Sequence, residues 1–163
     1  MAKHSDVEEM TREGYEKLKE ELTLLRTEKR MEISRKLEEA RGFGDLSENA
    51  EYHAAKEEQE KLEGRISKLE FKISHAKVIE VEDIDTNHAA VGATITFKDI
   101  DKKSTHSYTL VSSMESDVKG SKISAESPVG KAIMGHSIGD EVTVRVPKGI
   151  RRIKITDITV MRP

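Results

Sequence analysis

The chain has 163 residues, enough for one medium domain or two small ones. Charged residues make up 36% of it and aromatic residues only 4%, which excludes a large aromatic core and is typical of a long solvated helical segment joined to a modest globular unit. The absence of Cys excludes disulfides and thiolate zinc sites. No apolar run approaches the roughly 20 residues that span a bilayer, and the N-terminus lacks the apolar core of a signal peptide, so we expect a cytoplasmic protein without membrane contact.

The net charge of −3 argues against a general nucleic-acid binder, which usually carries a basic surface. Residues 1–79 hold 16 Lys/Arg against 19 Asp/Glu, and residues 80–163 hold 12 of each. Because neither part is basic, any contact with nucleic acid would need a local patch of charge.

Residues 12–76 are predicted to form two long helices. Thr11 is a suitable N-cap for the first, with acidic Glu13 in its first turn. Three successive four-residue steps in the middle of its apolar stripe indicate a stutter, which locally unwinds a supercoil. The stripe consists of Tyr15, Leu18, Leu22, Leu25, Lys29, Ile33, Leu37 and Ala40.

The second helix has a stripe whose steps alternate between three and four residues, as in a coiled-coil seam. Gly42 and Gly44 between the two stripes allow the chain to reverse, which favours an antiparallel hairpin of roughly 45 Å over one continuous dimerising helix. Gly64 inside this helix has no explanation at the level of sequence. The second stripe consists of Tyr52, Ala55, Gln59, Leu62, Ile66, Leu69, Ile73 and Ala76.

Two carboxylates lie at the turn between the helices. Asp45 and Glu48 are three residues apart where the second helix is predicted to begin, so they would share a face and could reach one hard cation such as Mg²⁺. Two carboxylates are too few for a tight site unless another molecule supplies further ligands. The same spacing describes a capping box, and spacing alone favours capping over catalysis.

After a polar segment at 80–88, which we interpret as a linker, the period changes to two. Short alternating runs bounded by turn residues predict half-buried antiparallel strands. Ile158 and Val160 fall out of parity with the preceding run, which indicates a bulge near Thr156 and Asp157. The runs are Ile95 and Phe97; Tyr108 and Leu110; Val142, Val144 and Val146; and Ile153 and Ile155.

One short helix is predicted among these strands, with Ser127 as N-cap, Pro128 at the first helical position and Gly135 at its end. The fold class is therefore α+β, with a helical hairpin at 1–79 and a small sheet domain at 80–163.

The segment from Gly44 to Lys56 resembles the tip signature of the Gre transcript-cleavage factors of bacterial RNA polymerase. Met10–Leu18 is similar to the N-terminal stretch of that family. Ser127–Ala132 and Gly139–Val142 are similar to its C-terminal, FKBP-like domain. The resemblance covers nearly the whole chain and is strongest to the GreA branch.

The resemblance implies a function in transcription elongation. The coiled-coil tip would enter the secondary channel of RNA polymerase and stimulate the polymerase's own Mg²⁺-dependent cleavage of backtracked RNA. Asp45 and Glu48 would be the catalytic pair, holding a Mg²⁺ jointly with the polymerase and none in the isolated protein. The chain would then have no active site of its own.

Further residues match functional positions of the family. Ser127 and Pro128 fall in the region that docks on the polymerase, although helix capping also explains them. The implied partners are RNA polymerase and the 3′ end of the nascent RNA, and we expect a monomer. Tyr52 also begins the apolar seam, so packing explains it equally well. The implied contacts of the tip with RNA or with the metal site are Arg41, Asn49, Tyr52 and Lys56.

Three alternatives remain at this level. A Gre paralogue could occupy the channel and inhibit the polymerase without cleavage, although such paralogues carry a more acidic tip. The FKBP-like resemblance suggests a peptidyl-prolyl isomerase, which would need an apolar aromatic pocket. Only Phe97 and Tyr108 are aromatic in residues 80–163, and both fit strand interiors. The third alternative is a purely structural coiled-coil adaptor.

Overall fold

The computed structural model describes residues 7–45, 48–117 and 119–160. These residues divide into two compact units, of which one is the helical segment Glu16–His75 and the other contains the described residues on either side of it. Residues 8–11 and 76–79 pair with each other as two short strands and belong to this second unit, the C-terminal unit. The expected domain boundary between residues 79 and 80 stays a prediction.

The first long helix is built in three parts: α1 (Arg12–Leu24), a π-helical segment (Leu25–Lys29) and α2 (Arg30–Arg41). The hydroxyl oxygen of Thr11 accepts a hydrogen bond from the backbone N–H of Gly14 at 3.0 Å, which confirms Thr11 as the N-cap.

The π-helical segment coincides with the predicted stutter. In an α-helix each four-residue step overshoots a full turn by about 40°, so three such steps would carry the stripe away from its partner. The wider i→i+5 turn of a π-helix absorbs part of this drift. The seam is interrupted there, because Leu25 is half-buried and Lys29 exposed, and it resumes at the buried Ile33.

The second helix, α3, is Ala50–Ser74, and its 25 residues correspond to about 37 Å. The predicted antiparallel hairpin is confirmed, and its interior is the predicted seam. Tyr52, Gln59 and Ile73 are half-buried at its edges, whereas Ala76 lies beyond the helix. The buried seam residues are Leu18, Leu22, Ile33, Leu37 and Ala40 on the first helix and Ala55, Leu62, Ile66 and Leu69 on α3.

Among the described residues, four ion pairs cross between the helices beside the seam. Their side chains stay substantially exposed, so each contributes little to stability on its own. The hydrogen bond from Arg30 lowers the pKa of Glu63, so this pair is lost as the pH falls through that lowered value. The pairs are Glu21–Arg65, Arg26–Glu70, Arg30–Glu63 and Lys36–Glu58.

None of the helices in the described ranges combines the length and the apolar character that a membrane span needs.

Gly64 lies on the solvent side of α3. A Cβ atom added there would meet no atom within 4 Å, and the residue has no positive φ, so nothing in the local packing requires glycine. The cost of about 1 kcal/mol relative to Ala is therefore uncompensated by any contact of the described residues.

Gly64→Ala should raise the free energy of unfolding of the hairpin by about 1 kcal/mol, because it removes backbone entropy from the unfolded chain without a clash. Thermal unfolding followed by circular dichroism measures the change. Ala54 is exposed on the same helix, and Ala54→Gly is the matched control that should produce the opposite shift. An unchanged or lowered melting temperature for Gly64→Ala would contradict the prediction.

The C-terminal unit contains two sheets. A small parallel pair joins β1 (Glu8–Thr11) to β2 (Ala76–Ile79). The main sheet has five strands in the order β5-β4-β3-β7-β6. We expected antiparallel strands throughout. The sheet is mixed, because β5 runs parallel to β4. Its strands are β3 (Thr94–Asp99), β4 (Thr105–Val111), β5 (Lys122–Ser124), β6 (Glu141–Val146) and β7 (Gly149–Thr159).

The core of this unit contains most of the apolar residues of the predicted alternating runs, whereas Tyr108 and Val146 are partly buried and pack against it. The predicted bulge is confirmed. Thr96 on β3 pairs with Asp157, and the next residue, Phe97, pairs with Ile155, which leaves Thr156 as the extra residue of β7.

The predicted short helix is α4 (Pro128–Ile133), which packs its Ile133 into the core. The segment at 80–88 is more ordered than a linker. It contains a short 3₁₀ helix, Val81–Asp83, and Ile84 packs against the core of the C-terminal unit.

Candidate functional site at the hairpin tip

The tip of the hairpin is the stretch between the end of α2 and the start of α3. The backbone N–H of Phe43 donates to the carbonyl of Ala40 at 3.1 Å and closes the last turn of α2. Gly44 follows with φ of 109°, a conformation that only glycine adopts at low cost. Backbone geometry therefore sets the direction in which the chain leaves the helix.

Asn49 joins the two helices at the tip. Its side-chain oxygen accepts a hydrogen bond from the backbone N–H of Tyr52 at 3.0 Å and caps α3, while its side-chain N–H₂ donates to the carbonyl of Ala40 at the end of α2. We predicted a contact of Asn49 with RNA or the metal site. The structure gives it a structural function, and the contact with RNA stays a prediction.

Asn49→Ala should lower the free energy of unfolding by about 2 kcal/mol, because it removes an N-cap worth about 1 kcal/mol and a second hydrogen bond of similar value. Asn49→Asp is the matched variant. It retains the cap but replaces the donor to Ala40 with a carboxylate, so we expect an intermediate loss. Chemical denaturation of the isolated protein measures both. Equal losses for the two variants would show that the cap contributes nothing.

Asp45 and Glu48 do not form the predicted capping box at the start of α3. Helix α3 begins at Ala50 with Asn49 as its N-cap, so both carboxylates precede the helix. For the same reason they do not share a helical face. Leu46 and Ser47, which separate them, lie outside the described residues. The helix begins later than the sequence suggested, because Asn49 and not Asp45 is its N-cap.

Asp45 and Glu48 nevertheless border one cavity of about 470 Å³ at the tip. Both side chains are exposed, and so is that of Glu51, whose carboxylate lies in the first turn of α3. The described lining residues include no Lys or Arg, so the cavity is anionic. They are Phe43, Asp45, Glu48, Asn49, Ala50 and Glu51.

The donor set of this cavity suits a hard cation in type, because carboxylate oxygens are the ligands that Mg²⁺ prefers. It is incomplete in number. Within residues 7–45, 48–117 and 119–160, no three His, Cys, Asp or Glu side chains come together as a metal site. The tip can contribute ligands to a cation that a second molecule also holds.

The other predicted tip residues flank this cavity. Arg41 is exposed at the end of α2, and Lys56 is exposed one turn beyond Tyr52 and donates to Gln59 at 3.2 Å. The ring of Tyr52 is half-buried and packs edge-on against His53, which agrees with a packing function at the end of the seam.

The predicted docking residues lie at the start of α4. Ser127 is its N-cap, since its hydroxyl oxygen accepts from the N–H of Gly130 at 3.1 Å and donates to the carbonyl of Ser124 at 2.6 Å. Pro128 is the first residue of the helix and its side chain is exposed. Of the two, Pro128 is therefore the one available to a partner.

Phe97 and Tyr108 lie on the neighbouring strands β3 and β4. The rings of Phe97 and Tyr108 stack with centroids 5.9 Å apart, beside His106, and border a cavity of about 110 Å³. Binding pockets for small ligands usually measure about 300–1,000 Å³. This cavity is too small to support the isomerase alternative.

Sequence comparisons assign both parts of the chain. Residues 8–78 match the family described as "Transcription elongation factor, N-terminal", and residues 84–160 match "Transcription elongation factor, GreA/GreB, C-term". The chain belongs to the GreA/GreB family of transcription elongation factors. The tip described above is therefore the tip of a Gre-family hairpin.

Relatives of this Gre-family chain match it over nearly their whole length. It is 47% identical over 156 residues to the transcription elongation factor GreA of Chloroherpeton thalassium, covering 96% of this chain and 99% of that protein. It is 48% identical over 149 residues to GreA of Thermoanaerobacter pseudethanolicus, covering 91% and 95%. The crystal structure of GreA factor homolog 1 of Thermus thermophilus is 31% identical, covers 93% and 98%, and superposes with a TM-score of 0.44, so the family assignment rests on sequence.

Proposed function

We propose that this Gre-family chain is a transcript-cleavage factor, which binds RNA polymerase, places the hairpin tip in the secondary channel and stimulates cleavage of backtracked RNA. The observation that carries the proposal is the anionic cavity at the end of the hairpin, bordered by Asp45 and Glu48. The N-cap of α3 is Asn49, so the capping of that helix does not require either carboxylate.

The chemistry would be that of a site shared between two proteins. Asp45 and Glu48 would supply oxygen ligands, and the polymerase would supply the rest. The chemistry that Mg²⁺ would supply at such a site is polarisation of a phosphoryl oxygen and activation of a water. The part of the factor would be to position the carboxylates, and the backbone turn at Gly44 and the hydrogen bond from Asn49 to Ala40 support such a function. Without the polymerase the factor would have no nuclease activity.

The cations beside the tip would hold the RNA. Arg41 and Lys56 are exposed on opposite sides of the turn, one ending α2 and the other in the second turn of α3. Phosphate contacts position a nucleic acid and weaken as salt is added. These two residues would therefore affect how well a backtracked RNA is held more than the chemical step.

The C-terminal unit would anchor the factor to the polymerase, through a surface that includes the start of α4. Ser127 acts there through the helix it caps, and Pro128 contacts the partner. We place the factor in the cytoplasm, where bacterial RNA polymerase works, and expect it to act as a monomer.

Pro128→Glu should weaken binding to polymerase at least tenfold, because it puts a charge into a contact that the proline ring makes. The first helical position tolerates Glu, which also favours the helix N-terminus, so the unit should stay folded. Competition for polymerase against labelled unaltered factor measures the effect. Pro128→Ala, which adds no charge, is the matched control and should lose less. Unchanged binding by Pro128→Glu would remove this residue from the interface.

The function itself is tested with a stalled, backtracked elongation complex. Added factor should shorten the RNA from its 3′ end in a Mg²⁺-dependent reaction that polymerase alone performs slowly. Binding to polymerase without RNA shortening would instead favour the channel-occupying, inhibitory function. Failure to bind polymerase would leave the structural adaptor as the better explanation.

A further inference from the structure

Phe43 is the most solvent-exposed large apolar side chain of the described residues, with 70% of its surface accessible. Single exposed apolar residues are common on proteins and carry no meaning alone. The position of this one is what matters, because its ring borders the same cavity as Asp45 and Glu48.

The backbone holds this ring in place at the tip. The N–H of Phe43 is hydrogen-bonded to the carbonyl of Ala40, and the residue lies between Gly42 and Gly44, neither of which has a side chain to shield it. Within the described part of the chain, the ring stacks on no other aromatic ring. The backbone of Phe43 is thus held in place, and the faces of its ring are accessible to solvent.

The charges of the cavity restrict what can approach the ring. Asp45, Glu48 and Glu51 repel a phosphate that is not accompanied by a cation. An apolar plug from a protein would desolvate these carboxylates without giving them partners. A nucleobase avoids both penalties, because its flat, uncharged face can stack on the ring while its polar edge and the carboxylates stay solvated.

We propose that Phe43 stacks on a nucleobase at the 3′ end of the backtracked RNA and so positions that end beside Asp45 and Glu48. The inference rests on the proposed cleavage function and adds a positioning residue to it. Every base has a π-face, so the contact tolerates any sequence.

The test compares the rate of RNA shortening in stalled complexes as a function of factor concentration, which separates the maximal rate from the half-saturating concentration. The factors are the unaltered protein, Phe43→Leu and Phe43→Trp. The RNA carries either a normal nucleotide or an abasic one at each of its last two positions. Phe71→Leu, the same substitution at an exposed ring on α3 away from the tip, is the matched control.

With normal RNA, Phe43→Leu should lower the maximal rate about tenfold, equivalent to about 1.4 kcal/mol and within the range of base–aromatic stacking. Phe43→Trp should restore it, and Phe71→Leu should have no effect. With RNA that is abasic at the stacked position, the unaltered protein and Phe43→Leu should become equal. Thermal unfolding of Phe43→Leu and Phe43→Trp should match that of the unaltered protein, since the Phe43 ring is mostly in water.

Two results would overturn the stacking contact while leaving the cleavage function intact. One is an unchanged maximal rate for Phe43→Leu on normal RNA. The other is a raised half-saturating concentration on normal and abasic RNA alike, which would show that the ring contacts the polymerase protein. If the unaltered protein itself stimulated no shortening, the proposed function would fail and this inference with it.

Discussion

Asp45→Asn and Glu48→Gln should each abolish stimulated RNA cleavage, even at saturating factor, while binding to polymerase persists. An amide is a far poorer partner for Mg²⁺ than a carboxylate, and the tip offers too few other anionic oxygens to compensate. The expected loss is at least a hundredfold in maximal rate, equivalent to about 2.7 kcal/mol or more.

Neither substitution should disturb the fold. Both residues are exposed and precede α3, and the isosteric amides leave its N-cap, Asn49, unchanged. Thermal unfolding of the variants should therefore match that of the unaltered protein. Glu60→Gln, an exposed carboxylate of α3 that does not border the tip cavity, is the matched control and should retain full activity.

The decisive measurement is cleavage of a stalled complex across a Mg²⁺ titration, run beside thermal unfolding and competition for polymerase. If the metal site is shared, excess Mg²⁺ should partly restore RNA cleavage by the two amide variants. Near-normal cleavage by both amide variants would exclude Asp45 and Glu48 as metal ligands. A large loss of stability would mean that one of them has a structural function in the turn.

Gly130→Ala should destabilise the C-terminal unit by about 3 kcal/mol, an effect at the upper end for overpacking. A Cβ at this buried position would lie 2.2 Å from the carbonyl oxygen of Ser124 and 2.9 Å from the Cα of Ala125. Both are backbone atoms, which cannot rotate away as a side chain could. A movement of the backbone that relieves this clash would break the hydrogen bond from the Gly130 N–H to the capping hydroxyl of Ser127.

For a unit of roughly 100 residues, this loss corresponds to a fall in melting temperature of more than about 10 °C. Hydrogen exchange should show faster exchange in β4, α4 and β6 but not in α3. Binding to polymerase should weaken as well, because α4 carries Pro128. Gly64→Ala provides the comparison, since the same chemical change in open space should stabilise. Unchanged hydrogen exchange in α4 would contradict the prediction, because it would show that the neighbouring backbone can move enough to accept the added methyl group.

The hairpin seam, the four longer strands and the bulge of β7 were predictable because each leaves a periodic trace in the local sequence. The stutter was predictable for the same reason, and it is realised as the π-helical segment. The strands β1, β2 and β5 were missed. They have three or four residues each, and they form only because distant parts of the chain meet.

The candidate site was predicted in its residues but not in its geometry. Asp45 and Glu48 do meet at one cavity, yet the helix they were assigned to begins later. Asn49 was predicted as a contact for RNA or the metal site from the family resemblance, and that contact stays a prediction. Its hydrogen bond to Ala40 was missed, because a local pattern cannot reveal a partner nine residues away. Phe43 carried no sequence signal at all. Its exposure depends on how the turn closes, which only the structure describes.

The π-helical segment determines where the hairpin can change length. A deletion of one residue within Leu25–Lys29 would turn the segment into ordinary α-helix and leave Leu22 and Ile33 both facing α3. The same deletion inside α1 or α2 would rotate one part of the helix by about 100° and take its apolar residues out of the seam. We expect natural gains and losses of single residues in the first helix to cluster at this segment. There they leave the apolar residues on both sides of the segment facing α3.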